Sequence, residues 1–163
     1  METEILNFSK NTLIMNRIKA IISSTLLAFM LLGIATHANA ESYLYQGETM
    51  YKGDTLFSPN HEYRLVFQND GNLVVYNSQD KALWHSGTHG MSNAATLRMQ
   101  DDGNLVLYSD SLTPLWHTKT HLGPYAEYEL VMQNDGNLVL YTHTLHFFGT
   151  TVTPIWDSQG HVK

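Results

Sequence analysis

Five side chains that can do chemistry recur three times in this sequence, each set placed at alternate positions of a nine-residue stretch. The copies are Gln68, Asp70, Asn72, Val74 and Tyr76, then Gln100, Asp102, Asn104, Val106 and Tyr108, then Gln133, Asp135, Asn137, Val139 and Tyr141. An ionised carboxylate only accepts hydrogen bonds, the two amides donate and accept, and the phenol does both. Gathered at one place, these groups offer complementary partners to vicinal hydroxyls, and the valine offers an apolar contact to the C–H face of a ring. That chemistry is saccharide recognition, not acid–base catalysis. Turn formation alone accounts for Asp and Asn in any one copy. It does not account for Gln and Tyr at the same offsets in all three, while Ser78, Lys81 and Ser111 vary freely.

The elements that must position these groups follow from the spacing. The copies lie 32 and 33 residues apart, a period that marks a repeat architecture. Asp70-Gly71, Asp102-Gly103 and Asp135-Gly136 sit between alternating apolar residues, a hairpin signal, because glycine accepts positive φ without strain. The glutamine ends one strand, Asp-Gly makes the turn, and Asn-Leu-Val-Val-Tyr or its equivalent begins the next. Period two then sends Asn72, Val74 and Tyr76 to one face and Leu73 and Val75 to the core face. A further short strand is predicted over Ala82 to His85 and over Leu115 to Thr118. Trp84 and Trp116 each lie 8 residues after their motif tyrosine and Trp156 lies 15 after its own, so the third repeat carries a seven-residue insertion. The three tryptophans read as core packing, not as ligand platforms. Residues 41–60 contain no motif but have their own rhythm of Leu44, Met50 and Leu56. In all, roughly ten to twelve short strands with no segment of helical period predict an all-β domain of approximate threefold symmetry.

Residues 1–40 read as a secretory signal. Lys10, Arg17 and Lys19 supply the positive region, Ile21 to Ile34 the apolar stretch, and Ala38-Asn39-Ala40 the cleavage site. The uninterrupted apolar part, Leu26 to Ile34, is short for a span of about 20 residues. Met15 would make a more ordinary start, so the first fourteen residues read as an extended leader or a misassigned start. Cleavage after Ala40 leaves one domain, 41–163, with a secreted or periplasmic location. Six basic and thirteen acidic residues remain, a net charge of −7, which argues against nucleic acid or an anionic membrane as partner. No stable membrane insertion of the mature chain is expected. The absence of cysteine removes disulfides and thiolate metal sites together.

The triple motif, preceded by Leu97-Arg98-Met99 and Leu130-Val131-Met132 in the second and third copies and followed by tryptophan, resembles the bulb-type (monocot) mannose-binding lectin family. The resemblance covers about Leu44 to His161. It implies a β-prism II fold, three four-stranded antiparallel sheets around a pseudo-threefold axis with the tryptophans inside. It also implies that the glutamine bonds the mannose 3-hydroxyl, the aspartate and asparagine hold the axial 2-hydroxyl, and the tyrosine holds the 4-hydroxyl. The valine packs against the ring carbons. On this reading the chain is a non-enzymatic lectin for α-linked mannose-containing glycans, with no cofactor and no metal. A lectin-like bacteriocin or toxin module, using mannose binding for targeting, is the alternative. Such proteins usually join two domains with degenerate motifs, whereas here one domain carries three intact copies.

Several positions depart from that pattern. Many plant members carry a cysteine where this chain has Gly71, with the partner near Ala95, so the family disulfide is absent. The inserted segment from His143 to Thr153 has three roles open to it: extending the third site, obstructing it, or covering an oligomer contact. The tail after Trp156 is long enough for a homodimer by C-terminal strand exchange. His85, His89, His117, His121 and His161 follow the tryptophans, but strand and turn geometry does not give the one-face zinc pair that a helix would. Asp101-Asp102 sits at a turn, so a glycosidase carboxylate pair is not expected there.

Overall fold

The computed structural model describes residues 42–124 and 126–162, so the signal-peptide reading of 1–40 lies outside the described residues. Twelve strands run in order: β1 (Tyr43–Tyr45), β2 (Thr49–Tyr51), β3 (Thr55–Phe57), β4 (Tyr63–Phe67), β5 (Leu73–Asn77), β6 (Ala82–His85), β7 (Ala94–Met99), β8 (Leu105–Ser109), β9 (Pro114–His117), β10 (Glu127–Met132), β11 (Leu138–His146) and β12 (Gly149–Asp157). They form three four-stranded antiparallel sheets, β3-β4-β5-β6, β2-β7-β8-β9 and β1-β10-β11-β12. The expected β-prism with threefold internal symmetry is what the chain adopts.

Each repeat supplies three consecutive strands, and the lead-in supplies the fourth strand of all three sheets. Strands β1, β2 and β3 are three residues each and join different sheets, the turns between them held by the Tyr45 and Tyr51 carbonyls accepting from Glu48 and Asp54 N–H. Only the central residue of each points inward: Leu44, Met50 and Leu56 are buried. The rhythm of those three residues is thus one core contact per sheet.

The core is built from equivalent positions. Leu65 and Phe67, Leu97 and Met99, Leu130 and Met132 come from the first long strand of each repeat, and Leu73 and Val75, Leu105 and Leu107, Leu138 and Leu140 from the second. All twelve are essentially inaccessible, and burial of each such side chain stabilises the fold by roughly 1.5–3 kcal/mol. Trp84, Trp116 and Trp156 stand opposite Val75, Leu107 and Leu140 and meet one another edge to face, with ring centroids 5.6–6.1 Å apart. They pack against the core but are only half-buried, closing one layer of it.

After each tryptophan pair the register shifts by one residue, between Val75 and Tyr76, Leu107 and Tyr108, and Leu140 and Tyr141. The third repeat's extra residues enter beyond this bulge. They continue the β11–β12 ladder without a break from Thr142↔Thr153 to His146↔Gly149, past the last β10 pairing at Glu127↔His143. The insertion is therefore a two-stranded ribbon that lengthens the hairpin along its own axis. Strand β12 pairs with β11 at the edge of the third sheet.

Candidate functional site

The three motif hairpins have one local design. Strand β4 ends at Phe67, one residue earlier than the sequence indicates, and Gln68 N–H donates to the Asn72 carbonyl while Gly71 N–H donates to that of Gln68. Gln100–Asn104 and Gln133–Asn137 repeat both bonds. Each turn is a three-residue loop with a left-handed glycine, φ being 91° at Gly71, 86° at Gly103 and 84° at Gly136. The aspartate Oδ1 accepts the asparagine backbone N–H at 2.9, 3.0 and 2.9 Å, so one carboxylate oxygen builds the turn, and the other has no hydrogen-bond partner among the described residues.

The ends of the motif meet as well. Gln68 Nε2 donates to the Tyr76 phenol oxygen at 2.8 Å, Gln100 to Tyr108 at 2.9 Å and Gln133 to Tyr141 at 2.7 Å. This leaves the glutamine carbonyl free to accept and the phenol proton free to donate. In each motif the glutamine is thus bonded to the tyrosine, and the aspartate to the backbone of the asparagine. The valine differs from expectation in depth. Val74, Val106 and Val139 are each only 3% exposed.

Sequence reasoning missed the groups behind the asparagines. In the first cleft, Asn72 Oδ1 accepts from Ser86 Oγ at 3.1 Å and Thr88 N–H at 3.1 Å, while Thr88 Oγ1 donates to the Gly71 carbonyl. In the second, Thr118 Oγ and Thr120 N–H do the same for Asn104, and Thr120 Oγ1 for Gly103. These bonds fix each amide with its Nδ2 turned away, where among the described residues it has no protein partner. The signal was present: Trp-His-Ser-Gly-Thr and Trp-His-Thr-Lys-Thr follow the first two motifs, and Trp-Asp-Ser-Gln-Gly the third.

Neighbouring repeats buttress the turns in cyclic order. A side chain at Gly71 would strike the Met91 carbonyl oxygen and Ala94, one at Gly103 the Tyr128 ring, and one at Gly136 the Tyr63 ring. The residue facing Gly71 is Ala94, one position before the Ala95 that the absent disulfide pointed to. Tyr128 donates to the Gly123 carbonyl at 2.7 Å. Burial, with the Asp102 carboxylate beside it, pushes its phenol above the usual tyrosine range. The third cleft opens beside a depression of about 390 Å³ lined by Pro59, Val131, Gln133, Asn134 and Asp135. Among the described residues, no ribbon side chain hydrogen-bonds its Gln133, Asp135, Asn137 or Tyr141.

The sequence profile of the D-mannose binding lectin family matches residues 52–123. Among solved structures, a monomeric monocot mannose-binding lectin from Gastrodia elata is 34% identical, with a TM-score of 0.60, over 75% of this chain and 100% of that one. This chain belongs to the bulb-type mannose-binding lectin family. The bulb-type fold extends to the mannose-specific agglutinin from snowdrop (Galanthus nivalis) bulbs, solved with methyl-α-D-mannoside, which is 37% identical with a TM-score of 0.56 over 62% of this chain and 89% of that one. The B-type lectin plumieribetin of Scorpaena plumieri is 45% identical over 58 residues, 36% of this chain and 49% of that protein. The chain thus spans about half the length of that curated relative. Bulb-type lectins bind carbohydrate and are not enzymes.

Proposed function

We propose that the protein is an exported lectin that binds α-linked mannose, without metal, through the Gln-Asp-Asn-Val-Tyr clefts. The observation that carries this reading is the set left without a partner among the described residues in the first two motifs: one aspartate oxygen, the asparagine Nδ2, the glutamine side-chain carbonyl and the phenol proton, two acceptors and two donors. A pair of vicinal hydroxyls needs that balance. An equatorial 2-hydroxyl, as in glucose, would leave the aspartate and asparagine groups short of a partner, at a cost of about 1–3 kcal/mol where they are desolvated.

Four or five hydrogen bonds of about 0.5–1.5 kcal/mol each, set against immobilising the sugar, correspond to a single-cleft Kd of roughly millimolar. The test is titration with methyl α-mannoside and, in parallel, methyl α-glucoside, with and without a chelator. Saturable mannoside binding that survives chelation and exceeds glucoside binding by about tenfold is expected; equal affinity for the two sugars would refute the assignment. Export is tested by fractionating the producing cells and sequencing the N-terminus, with cleavage expected after Ala40.

A further inference from the structure

The three motifs carry the same five residues but differ in what pairs with the valine across the hairpin. Val66 on β4 pairs with Val74 and Val131 on β10 with Val139, whereas the equivalent residue on β7, paired with Val106, is Arg98. Directly opposed residues share a sheet face with Cβ atoms about 5 Å apart, so Arg98 lies on the face that carries Val106 and Tyr108. Its guanidinium carbon is 5.6 Å from the centroid of the Tyr108 ring. That phenol is the one bonded to Gln100, so a cation has replaced an apolar residue beside the groups of one motif only.

The charge is also uncommitted. Arg98 is exposed, and no ion pair among the described residues includes it. In the first motif the nearby arginine is Arg64, 5.1 Å from the Tyr76 centroid, but Asp80 neutralises it and it also donates to the Asn77 carbonyl. In the third, Glu129 stands opposite Tyr141 and pairs with His143 at 2.8 Å, so the neighbouring group is a carboxylate. A second cation marks the same motif as Arg98. Lys119 is exposed between Thr118 and Thr120, the two residues that bond the Asn104 amide oxygen, where the other repeats have Gly87 and Gln159. Asp101, which replaces Asn69 and Asn134, has its Oδ1 beside Gly47 and forms an ion pair with neither cation.

We propose that the second motif prefers a mannoside bearing an anionic group, a carboxylate or a phosphate ester, and that Arg98 determines this preference. A guanidinium presents a planar fork of donors matched to two oxygens of such a group, and stacking on an aromatic ring orients it in advance. A neutral hydroxyl gains much less from that fork. The motif aspartate is common to all three copies, so its repulsion of an anion does not distinguish them, whereas Arg98 and Lys119 oppose that repulsion in the second alone. At an exposed position the gain over the neutral sugar is about fivefold and fades with salt.

This inference rests on the mannoside reading, and a site-resolved experiment separates the two. The full chain is titrated with methyl α-mannoside, mannose 6-phosphate, α-mannose 1-phosphate and methyl α-mannuronoside while the side-chain amide resonances of Asn72, Asn104 and Asn137 are followed by NMR. At least one anionic sugar is expected to saturate Asn104 at about one-fifth of the methyl mannoside concentration, with no such preference at Asn72 or Asn137. Raising the salt to about 0.5 M should erase it. Arg98→Val, which installs the residue of the other two motifs, should remove the preference at Asn104 while Asn72 responds as in the wild type. Arg98→Lys, a charge without the fork, should keep only part of it. A preference that survives Arg98→Val overturns the inference, as does inorganic phosphate saturating Asn104 at the same concentration as the sugar phosphates. Methyl mannoside saturating Asn104 as readily as all three anionic sugars also overturns it and leaves the lectin reading standing. No response of any amide to any of these sugars overturns both.

Discussion

At the scale of single residues, the mannoside reading gives each motif aspartate two separable roles, one per oxygen. Asp102→Asn keeps an oxygen for the Asn104 N–H and exchanges the ligand-facing acceptor for a donor. It is expected to weaken mannoside binding at the second cleft at least tenfold while moving the melting temperature by less than about 2 °C. Asp102→Ala loses the turn bond as well and should cost about 1 kcal/mol of stability, so thermal denaturation and titration of the pair resolve the two roles. Asp157 carries a pH prediction. Burial pushes its carboxyl up, but the backbone N–H groups of Val162, His161 and Gln159 and the Asn137 side chain outweigh this and hold it below the usual aspartate range. A carboxylate whose pKa is depressed by folding contributes stability above the unfolded value of about 4 that is lost as the pH falls through the folded one. Amide exchange at Gln159 and Val162 should accelerate over that acid window, and Asp157→Asn should abolish the pH dependence. The motif itself was legible because five polar and apolar types recurred in register. Ser86, Thr88, Thr118 and Thr120 were passed over because a hydroxyl near a tryptophan has no type-specific chemistry until a partner such as the Asn72 amide is placed against it.

At the scale of elements, the hairpins and their core faces followed from period two, since Leu73 and Val75 can only face opposite to Asn72 and Tyr76. The lead-in did not follow. Three-residue strands are too short to show a period, and that Leu44, Met50 and Leu56 each complete a different sheet is fixed by their distant partners Leu130, Leu97 and Leu65. The turn glycines, identical in sequence, are also unequal in their surroundings. Alanine at a left-handed position costs about 1–2 kcal/mol for the backbone alone. At Gly103 and Gly136 the new methyl meets the edge of a tyrosine ring at 2.5 and 2.6 Å, and a ring can shift. At Gly71 it meets a backbone carbonyl held in the Met91 turn, whose oxygen accepts from Ala94 N–H. Chemical denaturation should therefore find Gly71→Ala the least stable, by about 1 kcal/mol or more relative to Gly136→Ala.

At the scale of the whole molecule, two features lie outside the prism's core: the ribbon and the arrangement of the clefts. The ribbon ends in Phe147 and Phe148, 83% and 97% exposed, and residues 138–156 contain no Asp, Glu, Lys or Arg. Because its outer part pairs with no third strand among the described residues, Phe147→Ser with Phe148→Ser should leave the melting temperature within about 1 °C, and light scattering should show less association at high concentration. The clefts bear on function more directly. On the mannoside reading, three weak sites on one domain reach useful affinity only when a surface presents mannose densely enough for a second site to engage before the first releases. Linked binding of this kind raises apparent affinity by about 10² to 10⁴ over a single site. On the mannoside reading, Asp70→Asn, Asp102→Asn and Asp135→Asn, each disabling one site, should each lower retention on a densely mannosylated sensor surface toward the level measured on a sparse one. Soluble methyl mannoside should meanwhile bind the untouched sites with unchanged affinity, because the loss lies in linkage and not in the site. Unaltered retention in all three variants would mean that linkage through these sites does not carry the binding.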